Sequence, residues 1–221
     1  MSAAATEGSV RAEVLEAAQR LHRQGLVVGT AGNVSGRLPD GHVCLTPSSA
    51  PYEAMALDDL VVVDLDGGVV EGSAAPTTEK ALHLACYRAH PEVGGVVHSH
   101  APHASMFAVA HQPVPALIEE VVVYLGGDVP VCPYHRTGSD ELGEAVAARL
   151  ADRSAALLAN HGMVCVGRSA ADALHATEVA EHSAQVAWGA RSLGTVVPLP
   201  DQVVADFAGV YAFVRAELWP T

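Results

Sequence analysis

Lysine is nearly absent from this chain: Lys80 stands alone among 221 residues. Chemistry through a lysine Schiff base therefore hangs on one position. Basic charge as a whole is thin, with 12 Lys and Arg against 25 Asp and Glu and a formal net charge of -13. No basic cluster breaks that balance, which excludes the basic face of a nucleic-acid binder. The acidic surplus serves solubility, and an anionic substrate must be held locally against it. Cysteine is also sparse. Cys44, Cys86, Cys132 and Cys165 form no C-x-x-C pair, and their spacing suggests no disulfide framework. Reduced thiols in a cytoplasmic protein are the expectation. The stretch Met1 to Glu13 has no apolar signal core. No apolar run approaches the roughly 20 residues of a membrane span, so no membrane partner is expected.

Hydrophobic residues make up 50% of the chain. That suffices for one sizeable core, and residues 1–221 read as one domain. Val10 to Arg23 is amphipathic at helical spacing. Gly29 to Gly36 is glycine-rich and reads as a turn. Short strands are predicted at Val43–Leu45 and Leu60–Leu65, the latter turning through Asp66-Gly67-Gly68 into Val69-Val70. Thr78 to His90 reads as a helix capped by Thr77 or Thr78, with Pro91 past its end. Further strands are predicted at Gly94–His98, Val129–Cys132, Ala155–Ala159 and Met163–Val166. Helices are predicted at Pro102–Ala110, from about Ala116 to Leu125, at Ser139–Ala151 with Ser139 or Asp140 as cap, at Ala170–Ser192 and near Val203–Leu218. The alternation makes the class α/β, and by itself suggests a parallel sheet.

Chemistry concentrates in the histidines. Val96-Val97-His98-Ser99-His100 ends an apolar run with two imidazoles two residues apart, which a strand turns to the same side. Asn160-His161-Gly162 follows another apolar run. A third imidazole from a neighbouring strand end completes a three-nitrogen site with an open position, the arrangement catalytic zinc needs. Strand ends line ligand clefts in α/β folds. His103 is close enough in sequence to be a spare ligand or a supporting residue behind the ligands. Glu79, in the first turn of its helix, reads either as a carboxylate favoured by the helix dipole or as a general base beside the metal. Three clusters offer neutral donors to an anion: Gly29-Thr30-Ala31-Gly32-Asn33-Val34-Ser35, Thr46-Pro47-Ser48-Ser49 and Thr77-Thr78. The last opens a helix, where phosphate binds readily.

Together these segments resemble the class II aldolase/adducin family, most closely its L-fuculose-1-phosphate aldolase type. The resemblance rests on Gly-Thr-Ala-Gly-Asn-Val-Ser at 29–35, Thr-Pro-Ser-Ser-Ala-Pro-Tyr-Glu at 46–53, Pro-Thr-Thr-Glu at 76–79, His-Ser-His at 98–100 and Asn-His-Gly at 160–162, and it runs from Val10 to about Ala190. It implies a three-layer α/β fold with a central, mostly antiparallel sheet and helices on both faces. It implies zinc (manganese or cobalt being alternatives) held by His98, His100 and His161, with Glu79 as an extra ligand that gives way to substrate and then moves protons. It implies a substrate phosphate on Thr30, Gly32, Asn33, Ser48, Ser49, Thr77 and Thr78, and a homotetramer with active sites between subunits. The implied reaction is cleavage of a ketose 1-phosphate to dihydroxyacetone phosphate and an aldehyde through a zinc-stabilised enediolate. Related sugar-phosphate epimerases, dehydratases and decarboxylases share these motifs, and a non-catalytic adducin-like module is a further alternative. Aldolases of the fuculose type carry a proton-donating tyrosine just past an Ile-Pro-Ala segment. Here Val114-Pro115-Ala116-Leu117-Ile118 leads to Glu119 instead, leaving Glu119, Tyr134 and Tyr211 as candidate proton donors.

Overall fold

The computed structural model describes residues 6–219. Residues 1–5 of the stretch without a signal core, and the last two residues of the predicted domain, lie outside it. The chain opens with α1 (Glu7–Arg23), capped by Thr6, whose hydroxyl accepts from the Ser9 amide while Ser9 returns the bond. Strands β1 (Asn33–Arg37), β2 (Val43–Leu45), β3 (Val61–Val63) and β4 (Val69–Glu71) follow, then α2 (Lys80–Ala89) and β5 (Gly95–Ser99). Helices α3 (Pro102–Ala110) and α4 (Glu119–Leu125) precede β6 (Val131–Cys132), α5 (Asp140–Arg149), β7 (Ala155–Leu158) and β8 (Gly162–Gly167). Helices α6 (Ala170–Leu193) and α7 (Asp201–Leu218) close the described chain. Among the described residues no helix is long and apolar enough to cross a membrane.

The eight strands form one sheet in the order β4-β3-β2-β1-β5-β8-β7-β6. Every neighbouring pair is antiparallel except β6 with β7. The resemblance anticipated this, and the simple alternation of elements did not. A parallel pair needs a crossover that returns the chain to the same end. Only α5 makes such a crossover between adjacent strands. The first four strands lie side by side in chain order, β2 and β3 joined by a longer loop that holds Thr46–Ser49, and α2 carries the chain across to the far side of β1.

Alternate side chains of the strands feed two apolar layers. Val97, Cys165 and Leu157 face α1, α3, α4 and α6 with Val14, Leu21, Phe107, Val121 and Leu174. Val96, Val166 and Ala156 face α2 and α5 with Leu82, Leu84, Leu142 and Val146. Each leucine so buried contributes roughly 1.5–3 kcal/mol, so α2 is held firmly and carries its N-terminal residues to a fixed place.

Four local expectations change. The segment Gly29 to Gly36 is a turn only at its start, because Asn33–Arg37 is β1, buried between β2 and β5. It hides from a hydrophobicity pattern because Asn33 and Ser35 point into a polar network. Helix α2 starts at Lys80, with Glu79 rather than a threonine at the capping position. Thr77 does bond a backbone amide, but that amide belongs to Glu79 and the bond closes the turn before the helix. Helix α4 starts at Glu119, not Ala116, because Val114 pairs with Val129 and the Ala116 amide bonds Asp128. The strand predicted over Leu60–Leu65 is confined to Val61–Val63.

Candidate metal centre

The topology gathers one end of the sheet into a site. Strand β5 ends there in His98-Ser99-His100. Its antiparallel neighbour β1 begins there, with Asn33 opposite His98. The β7–β8 turn delivers His161. That turn puts Asn160 in the left-handed region at φ 57°, which Asn tolerates better than most residues. The Asn160 amide bonds the Ala108 carbonyl, and its side-chain oxygen accepts from the His111 ring. Two glycines let backbones close in. A Cβ on Gly162 would strike the Ser99 carbonyl and crowd the His100 ring. A Cβ on Gly32 would lie 2.5 Å from Val27 and 2.8 Å from the His98 carbonyl oxygen.

The three imidazoles meet. Ring centroids are 4.9 Å apart for His98 and His100, 4.7 Å for His98 and His161, and 5.0 Å for His100 and His161. One ligand nitrogen from each lies within 4.8 Å of the others. Glu79 adds its carboxylate, with Oε2 3.1 Å from His98 Nε2 and Oε1 3.5 Å from His161 Nε2.

The protonation pattern asks for a cation. His98 Nδ1 lies 3.0 Å from the Met163 carbonyl oxygen. A carbonyl only accepts, so Nδ1 carries the hydrogen. In the neutral ring, Nε2 then presents a lone pair to the centre, 3.0 Å from His100 Nε2. This outer contact is the kind that fixes ligand orientation in histidine metal sites. Among the described residues Glu79 Oε1 is buried without a hydrogen-bond partner. A buried carboxylate oxygen with no donor is costly. Lone pairs and an orphaned carboxylate oxygen converging on one point fit a divalent cation held by nitrogen and oxygen ligands.

Burial and the neighbouring His98 and His161 push the His100 pKa down to about 4. Burial and His98 also lower that of His161. His83, fully enclosed, is pushed down to about 3 by burial, then by His98. For Glu79 burial works upward, but the contacts with His98, Asn33 and His161 outweigh it and hold the carboxyl well below its usual range. The sign for stability follows. Below about 6.5 the unfolded chain binds histidine protons that the folded chain refuses, so stability falls as pH falls toward 3–4. The depressed Glu79 adds a loss of the same sign below about 4.3. Chelator-treated protein should therefore show a melting temperature that declines steadily from pH 6.5 to pH 4. A flat profile would contradict the buried neutral histidines.

The hydroxyl clusters also collect at this end. Pro47 pairs with Pro76, the Ser48 amide bonds the Ala75 carbonyl, and the Thr77 amide bonds the Thr46 carbonyl. These bonds lay Ser48 and Ser49 alongside Thr77 and Thr78. Ser49 sits in the left-handed region at φ 58°, a strain of the sort found at ligand clamps. Thr30 and Thr78 are exposed. The Tyr52 hydroxyl donates to the Ala31 and Gly32 carbonyls and pins the glycine loop. Asn33 is engaged otherwise than as a free donor. Its Nδ2 donates to Glu79 Oε2 at 3.0 Å, and its Oδ1 accepts from His83 Nε2 at 2.5 Å.

Several predicted residues stand apart. His103 donates through Nδ1 to Glu181, which also takes the amides of His103 and Ala104 at the start of α3. It therefore serves the helix end and lies outside the three-histidine group. Tyr211 is buried against Ser154 and Arg215. Ser154 precedes β7 and His161 follows it, so four strand residues at about 3.3 Å each separate the tyrosine from the site. That placement keeps Tyr211 away from the metal centre of its own chain. Glu119 is exposed in the first turn of α4. Tyr134 is 65% exposed, on the loop after β6, which the parallel β6–β7 pairing brings to the site end. A Cβ on Gly138 of this loop would lie 3.0 Å from the Thr78 carbonyl oxygen, so the loop passes beside the hydroxyl cluster. Lys80 donates to the Gly67 carbonyl at 2.7 Å, on the β3–β4 turn. His83 escaped sequence reasoning, although its spacing of four from Glu79 puts both on one helix face.

Known proteins are similar to this chain over most of its length. L-ribulose-5-phosphate 4-epimerase UlaF of Salmonella paratyphi C is 36% identical over 208 residues, covering 88% of this chain and 91% of the relative. A solved L-fuculose 1-phosphate aldolase superposes with a TM-score of 0.87 at 30% identity, covering 93% of this chain and 96% of that one. YgbL of Klebsiella pneumoniae, described as an aldolase/epimerase/decarboxylase, gives 0.84 at 32% identity over 92% of this chain and 99% of its own. Residues 12–188 match the family described as Class II Aldolase and Adducin N-terminal domain. That match spans the glycine loop, the hydroxyl clusters, Glu79 and all three histidines, and by it the chain belongs to the class II aldolase family.

Proposed function

We propose that this chain is a divalent-metal enzyme of phosphorylated sugars that cleaves a ketose 1-phosphate of the L-fuculose type to dihydroxyacetone phosphate and an aldehyde. The observation that carries the reading is the convergence of His98, His100 and His161 with an orphaned Glu79 oxygen on one point, beside three clusters of neutral donors. His98, His100 and His161 would hold the cation, with Glu79 beside it; the nitrogen-rich set suits zinc, with manganese or cobalt as alternatives. Such a cation supplies a Lewis acid for the ketose carbonyl and its neighbouring hydroxyl. Glu79 would take up a proton on the oxygen that no donor occupies and deliver it to the carbon freed when the bond breaks, while the hydroxyl that becomes the aldehyde gives up its own. Thr30, Gly32, Ser48, Ser49, Thr77 and Thr78 grip the phosphate with neutral donors, which suits an acidic chain. Asn33 joins them through its backbone, since its side chain is committed to Glu79 and His83.

Glu119 and Tyr134 are proposed as the groups that take the proton of the hydroxyl that becomes the aldehyde, and donate it back in the reverse direction, reaching the site of a neighbouring subunit in a homotetramer. Their exposure supports this, as do the exposed apolar side chains Met106, Val109, Trp188, Leu193 and Phe213 on α3, α6 and α7. A cytoplasmic location goes with the four buried free cysteines.

Sugar-phosphate 4-epimerisation is the second reading, favoured by the 36% identity to L-ribulose-5-phosphate 4-epimerase. Glu79 favours the aldolase, because the epimerases resemble Ser-Ser-Asp where this chain has Thr-Thr-Glu. Incubation with L-fuculose 1-phosphate and, separately, with L-ribulose 5-phosphate tests the choice. Triose-phosphate release from the first supports cleavage, and epimer formation from the second without triose phosphate overturns it. A linked result is expected for the rival lysine chemistry. Lys80 already donates to Gly67, so Lys80→Ala should retain most activity while EDTA abolishes it. The reverse pair of results would remove the metal reading.

A further inference from the structure

Behind Glu79 lies a row of buried polar groups that the proposed chemistry does not use. His83 is 0% exposed, as is Ser35, and Tyr87 is 1% exposed. His83 bridges two residues of β1 that share a face. Its Nε2 meets Asn33 Oδ1 at 2.5 Å and its Nδ1 meets Ser35 Oγ at 2.6 Å, while Ser35 Oγ meets the Tyr87 hydroxyl at 2.8 Å.

The chemistry of these atoms gives the row one polarity. The Glu79 carboxylate only accepts, so the Asn33 amide must turn its NH2 toward it and its oxygen toward His83. An amide oxygen also only accepts, so His83 Nε2 carries the hydrogen. A neutral ring then leaves Nδ1 as an acceptor. Ser35 must donate to it, and Tyr87 must donate to Ser35. Every hydrogen points outward, toward Glu79. Reversing any link would leave two donors or two acceptors facing each other in a dry interior, a cost of about 1–3 kcal/mol.

We propose that His83 is a positioning residue of the metal centre: through its Nε2 hydrogen it fixes the Asn33 amide, which in turn holds Glu79 Oε2 beside His98 and leaves Oε1 facing His161. The inference rests on the metal-centre reading of the previous subsection. It differs from a packing role, because it assigns the effect to one hydrogen on one nitrogen.

Two near-isosteric variants separate the roles. In His83→Gln the side-chain amide reaches the place of Nε2 and can still donate to Asn33. In His83→Asn the shorter amide reaches only the place of Nδ1 and Ser35. The measurement is zinc affinity by competition with a chelating dye, with the melting temperature of the chelated protein as a control. His83→Asn should weaken zinc binding by about 10–100-fold, the usual cost of losing an outer partner of a metal ligand. His83→Gln should stay close to wild type, while both variants shift the chelated melting temperature alike. Equal loss of zinc in the two variants overturns the inference in favour of packing, and wild-type affinity in His83→Asn overturns it outright. A wild-type protein that binds no zinc overturns the metal centre itself, and this inference with it. Should His83→Asn fail to fold, Ser35→Ala decides. It leaves the ring in place but frees its tautomer, and an unchanged zinc affinity would then overturn the assignment.

Discussion

Replacing His98 with alanine is expected to cost the protein its metal and to lower kcat/KM about a thousandfold or more, the several kcal/mol that a Lewis-acid cation supplies. His98 is the centre of the cluster rather than one of three equal members. Its Nε2 lies 3.0 Å from His100 and 3.1 Å from Glu79, and its Nδ1 is tied to the Met163 carbonyl. The side chain is wholly buried. Its loss would strip the buried Met163 carbonyl of the Nδ1 hydrogen. A second effect should therefore appear in chelated protein, a destabilisation of about 1–3 kcal/mol. Metal content after dialysis and steady-state kinetics read the first effect, and urea unfolding reads the second. His98→Ala protein that retained stoichiometric metal, or activity within tenfold of wild type, would contradict the metal centre.

Glu79→Gln is the second large effect. It keeps the size of the side chain and removes the proton acceptor. The amide can place its oxygen toward Asn33 Nδ2, preserving that bond, and its NH2 into the place of Oε1. The fold should survive and zinc should still bind through three imidazoles. The rate of turnover should fall by about 10²–10⁴, the range of a lost general acid–base group. The KM should change little, since the phosphate grip is intact. A kcat within a few-fold of wild type would show that proton transfer belongs elsewhere, with Glu119 and Tyr134 the next groups to replace.

Much of the site was legible because its signals are local. His-x-His at the end of an apolar run specifies two side chains on one side of a strand, whatever the sheet around it. Thr46–Ser49 and Thr77-Thr78 could be read as donor clusters because Ser, Thr and Pro favour irregular backbone. What stayed hidden depended on partners remote in the chain. Strand β1 carries Val34 as its one strongly apolar residue, and only the placement of β2 and β5 on either side makes it a strand. Asn33 read as an anion donor because the glycine loop precedes it. The fold turns it inward, because Glu79 and His83, 46 and 50 residues away, offer it better partners in a dry interior. Tyr211 is chemically a plausible acid, yet α7 buries it beside Ser154 at the other end of β7.

Residue content limits the chemistry available: three imidazoles, a carboxylate and neutral hydroxyl donors in an acidic chain, with a lone lysine. Residue identity and short-range backbone geometry are enough to limit reaction type. Which of these groups meet, and how each is protonated, is settled by the folded arrangement. Those outcomes depend on strand order, and on the shortage of water in the interior, which leaves every buried donor to find an acceptor within the protein.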